Sequence, residues 1–381
     1  MRIAHICPLV GEQPGGSERY VTNLSSHQAE NNDVSIYTTT CHREREGTFR
    51  EGDVTIHRFY SPFKIWNIDT VSFILMHLLK SNAEIYHIHS YLYSVSFQGV
   101  LAKLLRQRKG ILHLHGGIGP LPYSSGFLKR FVKNAFDASI GSFVIKNCDI
   151  VASVSHNDLE YVSSRYKIPP DRLAHLPNAV DVLKFRYEPS IPDTRDPLVL
   201  LYIGDFEPWK GLNLILHWLQ KKSHYGGRDI TMRFVGQGTL ETKILENKRI
   251  LDMKDNGVRI ELLGAKPHSE IHRVLKSADA LILPSYWEGL PTVLLEAMAT
   301  GTPVISTPVG DIPRLIQDRI TGLLIDRSIS SLDAAVSKII DSEHFLREMT
   351  LRARNLVATS YSFSSVSALA EKYYSRVVDY A

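Results

Sequence analysis

The stretch Leu281–Val309, LILPSYWEGLPTVLLEAMATGTPVISTPV, limits what this chain can fold into more than any other. Leu281, Ile282 and Leu283 close a short apolar run, the form a strand takes when both its faces are covered. Pro284, Gly289 and Pro291 break the chain, and Pro291 suits the first turn of a helix. A helix over Thr292–Ala299 follows. Gly301 and Pro303 stop it, and Val304-Ile305 opens the next strand. Strand, turn, helix, turn, strand is the unit of a parallel α/β sheet.

Two glutamates frame this unit. Glu288 lies in the loop before the helix and Glu296 inside it. Were both helical, eight residues would set them about 12 Å apart along the axis and about 80° around it. A retaining glycosidase holds its carboxyl groups about 5 Å apart and an inverting one about 6.5–9.5 Å. The spacing therefore disfavours a hydrolytic pair. It suits two separate contacts with one long ligand lying across a helix N-terminus, where free N–H groups favour phosphate. An ordinary amphipathic helix with a capping glutamate fits equally well, since Leu290, Val293, Leu294 and Ala297 supply an apolar face.

The run Glu288-Gly289-Leu290-Pro291 through Leu294-Leu295-Glu296-Ala297-Met298-Ala299, followed by Gly301-Thr302-Pro303-Val304-Ile305, resembles the signature of family 4 glycosyltransferases. The resemblance implies a retaining, nucleotide-sugar-dependent enzyme. It implies an α/β chain of GT-B fold, with two doubly wound Rossmann-like domains facing across a cleft. It also implies that Glu288 contacts donor-sugar hydroxyls and that Glu296 binds the ribose diol, with Gly289, Leu290, Pro291 and Thr292 in the same donor-binding turn.

Composition narrows the class. A chain of 381 residues is too long for one ordinary core and reads as two domains. Cys7, Cys41 and Cys148 stand far apart, without metal-ligand spacing, which suggests a reducing compartment and no disulfide framework. No apolar run reaches the length of a membrane span, and Met1-Arg2-Ile3-Ala4 enters a strand rather than a signal peptide. A cytoplasmic protein is expected, with the cytoplasmic face of a membrane as an alternative. Residues 1–180 hold 19 Lys and Arg against 15 Asp and Glu, so the net charge of +4 lies wholly in the first half. That excess is too small to indicate nucleic acid, but it favours an anionic membrane surface or a phosphorylated acceptor.

Along the chain, Gly15-Gly16-Ser17-Glu18 is a glycine turn leading into a helix over Ser17–Glu30, with Ser17 as N-cap. The resemblance sets Gly16 near donor and acceptor. Residues 40–52 read as a loop and Ile68–Leu79 as a helix. Ile85–His89 reads as a strand whose His87 and His89 share one face; a metal site would need a third ligand that the sequence does not display. His115 ends the strand Gly110–His115, where open α/β sheets bind ligands. It reads either as a histidine bonded to its loop or, by the resemblance, as the group beside the reacting carbon of the donor sugar. Phe127–Lys146 places Phe127, Phe131, Phe136, Ile140, Phe143 and Val144 near helical spacing, with Lys129, Arg130 and Lys133 clustered early. It reads as a helix packed on its own sheet or as one lying peripherally on an anionic membrane.

Glu188–Pro197, with three prolines, reads as the linker. The expected domains are residues 1–185 on the acceptor side, 196–360 on the nucleotide-sugar side, and a C-terminal helix over 361–381 crossing back to the first. Lys210, before Gly211, resembles the family's donor-phosphate lysine, and Gly236-Gln237-Gly238 its second glycine turn. Asp205 stands where the family usually carries arginine, which removes a bidentate phosphate fork. The catalytic set expected from the resemblance is His115, Glu288 and Lys210. The donor set is Gly16, Asp205, Lys210, Gly236, Gly289, Leu290, Pro291, Thr292 and Glu296. No Asp-x-Asp pair is present, so no metal cofactor is expected at the diphosphate. The expected partners are a nucleotide-sugar and a saccharide or lipid-linked acceptor. Two readings compete: a nucleotide-sugar epimerase of the same architecture, and a non-catalytic protein that only binds nucleotide-sugar.

Overall fold

The computed structural model describes residues 1–10, 15–62, 64–65, 69–70, 72–119, 126–188 and 197–379. The chain divides into two compact units, Met1–Asn178 with the segment from Phe363 onward, and Ala179–Ser362.

The first unit is built on strands β1 Arg2–Ile6, β2 Asp33–Thr40, β3 Gly47–Glu51, β4 Val54–Tyr60, the short β5 Lys64–Ile65 and β6 Asp69–Thr70, then β7 Ile85–His89, β8 Lys109–Leu114, β9 Ile150–Ser153 and β10 Leu173–His175. Its main sheet runs β10-β9-β8-β7-β1-β2-β4-β3. All pairings are parallel except β3 with β4. From β1 the chain winds outward through β2 and β4; from β7 it winds the other way through β8, β9 and β10. The winding therefore reverses between β1 and β7. Ligands bind at such a switch point, outside the carboxyl ends of the strands.

Helices of this unit are α1 Gly16–Ala29, α2 Leu75–Lys80, α3 Ser94–Leu105, α4 Phe127–Phe136, α5 Ser142–Lys146 and α6 His156–Tyr166. Between α4 and α5, Asp137–Gly141 winds as a wider π-type turn, so residues 127–146 form one continuous helical stretch.

The second unit carries β11 Leu198–Ile203, β12 Ile230–Val235, β13 Val258–Gly264, β14 Ala280–Leu283, β15 Val304–Ser306 and β16 Leu323–Leu324. They form one parallel sheet in the order β13-β12-β11-β14-β15-β16. This is the 3-2-1-4-5-6 order of a dinucleotide-type fold, with its switch point between β11 and β14. Helices α7 Leu212–Gln220, α8 Glu241–Lys254, α9 His268–Lys276, α10 Thr292–Thr300, α11 Ile312–Leu315, α12 Ile329–Asp341 and α13 Glu343–Ser360 cover it, and α14 Phe363–Asp379 returns to the first unit. Gln28 on α1 donates to the Tyr374 hydroxyl on α14 at 2.9 Å, inside the first core.

Several sequence expectations change. Residues 40–52 contain the edge strand β3, whose exposed polar side chains read as a loop. The helix expected over Ile68–Leu79 shrinks to α2; of the earlier residues, Asp69–Thr70 pair with Lys64–Ile65, while 66–68 and 71 lie outside the described residues. Helix α8 has no counterpart among the expected elements, because only Ile244, Asn247 and Leu251 face the core of an otherwise charged segment. Ser17 does not cap α1: Gly15 holds that position, and the Ser17 hydroxyl donates to Glu18. Residues 179–185 belong to the second unit rather than the first. Phe185 lies in its core, and Arg354 donates to the carbonyls of Val182 and Phe185. Most of the expected linker, 189–196, lies outside the described residues.

Candidate active site

In the second unit, the switch point brings two loops together. One leaves the carboxyl end of β11 and carries Lys210; the other leaves β14 and carries Glu288. Lys210 Nζ donates to Glu288 Oε1 at 2.7 Å, and the Ser285 hydroxyl donates to the same oxygen at 2.8 Å. The lysine is 21% exposed and the glutamate side chain 11%, so the pair is largely withdrawn from water. Sequence reasoning gave the two residues separate contacts. The fold makes them partners first, and it adds Ser285, which no motif marked.

Two glycines allow this approach. Gly211 has a φ of +73°, and a Cβ there would sit 2.0 Å from the Pro284 carbonyl oxygen. A side chain would push the Lys210 turn off the β14 loop. Gly310, at φ +58°, would place a Cβ 2.0 Å from the Glu288 carbonyl oxygen. Asp311 N–H donates to the Gly289 carbonyl at 3.1 Å, which closes the loop against the start of α11.

Pro291 occupies the N-cap position of α10 with extended backbone, and Thr292 is its first residue. Leu290 is buried and anchors the turn, while Gly289 is exposed. The N–H groups of Thr292 and Val293 in the first helical turn thus lie four and five residues from Glu288. Glu296 sits on the second turn. His268 Nε2 lies 2.7 Å from Glu296 Oε1, and Lys184 Nζ lies 3.0 Å from His268 Nδ1. A lysine ammonium only donates, so Nδ1 accepts and Nε2 carries the proton given to Glu296. One carboxylate oxygen of Glu296 is thereby fixed. Lys184 and His268 are further members that the sequence did not single out. Asp205 is exposed, and its carbonyl accepts from the Tyr202 hydroxyl at 2.8 Å. Gly236 follows β12, and its N–H donates to Gly264.

The first unit has its own site at the β1/β7 switch point. Gly16 is the first residue of α1. His115 follows β8 and is half-buried. Its Nε2 lies 3.0 Å from His89 Nδ1; His89 Nε2 lies 2.9 Å from His5 Nδ1; His5 Nε2 lies 2.7 Å from Gln28 Oε1. His87 faces His5 across the register, and His113 faces His89. Five imidazoles therefore share one sheet face. Burial holds His5 and His115 down to about 4, and burial with neighbouring histidines holds His87, His89 and His113 well below the usual range. All five are neutral near pH 7. The His-x-His pattern displayed two of them; only the sheet register collects the rest.

Helix α4 departs from the reading that packs it on its own sheet. None of its residues is buried. Phe127, Leu128 and Phe131 are 82%, 72% and 61% exposed. Lys133 is not part of an exposed basic cluster: it donates to Asp137 at 2.5 Å and to the Tyr91 hydroxyl at 2.6 Å, inside the protein.

Residues 14–183 match the family model described as Glycosyltransferase Family 4, and residues 185–356 match that described as Glycosyl transferases group 1. The phosphatidylinositol N-acetylglucosaminyltransferase GPI3 subunit of Saccharomyces cerevisiae is 25% identical over 353 residues, covering 89% of this chain and 75% of that one. A phosphatidylinositol N-acetylglucosaminyltransferase chain of Homo sapiens is 24% identical over 95% of this chain and 73% of its own. D-inositol 3-phosphate glycosyltransferase of Corynebacterium efficiens is 28% identical over 58% and 57%. Among solved structures, sucrose-phosphate synthase from Thermosynechococcus elongatus superimposes with a TM-score of 0.73 at 18% identity over the whole of both chains. WaaG, a glycosyltransferase of lipopolysaccharide biosynthesis, does so at 0.66 and 17% over 97% and 98%. The motif at residues 288–305, the two switch-point sheets and these matches lead to one conclusion: the chain belongs to the family 4 glycosyltransferases and has their GT-B fold of two parallel-sheet α/β units.

Proposed function

We propose that this chain moves a sugar from a nucleoside-diphosphate sugar to an acceptor hydroxyl with retention of anomeric configuration, in the assembly of a glycolipid, a cell-envelope polysaccharide or another glycan. The Lys210–Glu288 pair at the β11/β14 switch point carries this reading. The bond from the anomeric carbon to the diphosphate oxygen breaks, and a bond from that carbon to the acceptor oxygen forms on the same face. The acceptor proton passes to the departing diphosphate. Lys210 exchanges its contact with Glu288 for a diphosphate oxygen and offsets the charge that builds there, aided by the free N–H groups of α10. Glu288, relieved of its lysine, accepts from sugar hydroxyls. Glu296 keeps one oxygen on His268 and turns the other to the ribose diol. His115 lines the donor sugar. Lys210 and the helix N-terminus do the work a divalent ion would do at a diphosphate, so no metal is needed there.

The exposed apolar residues of α4, with Lys129 beside them, suit the boundary of an anionic membrane. This supports a lipid-linked acceptor taken at a cytoplasmic membrane face. The buried thiols of Cys7 and Cys148 support a reducing compartment. The names of the relatives include transfer to phosphatidylinositol and to inositol phosphate. Those two acceptors belong in the first assay.

The test is a thermal-shift screen against GDP-, UDP- and ADP-sugars, then a transfer assay with the donor that stabilises. A ligand at 100 times its dissociation constant stabilises by about 2.7 kcal/mol. Retention is read from the product anomer by NMR. Inverted product, an epimerised sugar formed without acceptor, or binding without turnover would each overturn the proposal.

A further inference from the structure

Only His115 of the five clustered histidines has a place in the transfer reading. Two hydrogen-bond directions define what the others offer. His113 Nε2 lies 3.0 Å from the Leu176 carbonyl. A carbonyl only accepts, so the proton is on Nε2 and Nδ1 presents a lone pair. That Nδ1 is fully buried and has no hydrogen-bond partner. The second direction starts at Gln28, whose amide nitrogen donates to Tyr374 and whose oxygen therefore accepts from His5 Nε2. His5 Nδ1 must then accept from His89 Nε2, which leaves a lone pair on His89 Nδ1, 3.0 Å from His115 Nε2.

We propose that His89, His113 and His115 form a binding site for a divalent transition metal of the zinc class. Their ligand atoms lie within 4.8 Å of one another. Metal–nitrogen bonds of about 2.0–2.1 Å in a tetrahedron set ligand nitrogens about 3.3 Å apart, so small ring rotations close the set. The metal replaces the proton between His89 and His115, and that proton moves to His115 Nδ1. Outer partners are already built: Leu176 C=O holds His113, and His5 backed by Gln28 holds His89, as ligating histidines require. Three neutral imidazoles without a carboxylate select zinc, cobalt, nickel or copper over magnesium or calcium. A three-histidine set leaves a fourth position open for water or an anion. The Tyr20 hydroxyl is also buried without a hydrogen-bond partner, and the Tyr20 ring packs 5.0 Å from that of His115 and 5.2 Å from that of His113.

In a second triplet, His5, His87 and His89, the ligand atoms also lie within 4.8 Å of one another. It is the poorer site, because both His5 nitrogens and the His87 Nδ1 are already bonded.

The experiment uses the full chain, stripped with chelator and titrated with cobalt(II) in a non-coordinating buffer. Binding is read from visible d–d absorption rather than from activity, because His115 cannot serve metal and donor sugar through one nitrogen. One equivalent should saturate the band, and zinc should displace it. H113Q should weaken cobalt binding at least tenfold while H87Q retains it; circular dichroism checks that both remain folded. Absorption by zinc-loaded wild-type protein at the zinc edge should show nitrogen and oxygen neighbours without sulfur. Less than a tenth of an equivalent bound, equal loss in both variants, or sulfur in the coordination shell would overturn the site. If H113Q does not fold, H115Q with the same cobalt titration decides the question by the same criteria.

Discussion

Gly211→Ala tests the contact on which the donor site depends. A Cβ at this position would stand 2.0 Å from the Pro284 carbonyl oxygen, a backbone atom that cannot turn away. It would also hold an L residue at a φ of +73°. Gly227 is the control: its φ is +78°, yet nothing lies within 4 Å of its Cβ position. Gly227→Ala therefore bears only the left-handed strain, about 1–2 kcal/mol. Gly211→Ala bears that strain plus the overlap, and forcing extra volume into a packed site typically costs about 1–3 kcal/mol. The difference between the two variants should be about 1–3 kcal/mol, or roughly 2–12 °C in melting temperature for a unit of this size. The displaced turn takes Lys210 away from Glu288, so nucleoside-diphosphate affinity should fall about ten- to a hundredfold, the usual effect of losing a charged hydrogen bond. Thermal unfolding and calorimetric titration of nucleoside diphosphate into both variants supply the numbers. Equal melting temperatures with nucleotide binding like wild type in Gly211→Ala would refute the argument that this glycine positions the lysine.

Further outcomes follow from the same site. Glu296→Ala should raise the donor KM more than it lowers kcat and should weaken nucleoside-diphosphate binding, whereas Glu288→Gln should lower kcat with that binding nearly intact, because remote contacts act equally in ground and transition states; the opposite pattern in calorimetry would reverse the two roles. His268→Ala should weaken nucleotide binding severalfold by freeing Glu296, with little effect on kcat; unchanged binding would remove His268 from the site. Phe127→Ser with Phe131→Ser should abolish co-sedimentation with anionic vesicles and leave transfer to a soluble acceptor intact, and equal sedimentation of wild type with neutral and anionic vesicles would count against membrane docking. Adding magnesium or manganese to the chelator-treated enzyme should leave turnover within about twofold; a strict requirement for either would show that Lys210 does not suffice at the diphosphate.

Elements with local signals were legible in the chain itself. Continuous apolar runs marked β11 and β14, because a strand covered on both faces needs no polar alternation. Pro291, Gly301 and Pro303 bounded α10 because each removes a backbone option at its own position. Signals that depend on an exposed or sparsely buried surface failed, as at β3 and α8, where polar residues satisfy a solvated face and leave almost no periodic trace.

Which of the chemically interesting residues meet is set by strand order and helix placement. Lys210 and Glu288 are 78 residues apart, and only the β11/β14 adjacency, with Gly211 allowing the close approach, makes the pair. His268 reaches Glu296 from a different helix. His5, His87, His89, His113 and His115 become one cluster through the parallel register of β1, β7 and β8, which no linear motif encodes. Lys133, counted with the basic face of its helix, turns inward to Asp137 and Tyr91 because a buried carboxylate and phenol offer it bonds that its position on the helix does not announce. Side-chain type and spacing are properties of the chain, whereas proximity between distant segments is a property of how sheets order their strands.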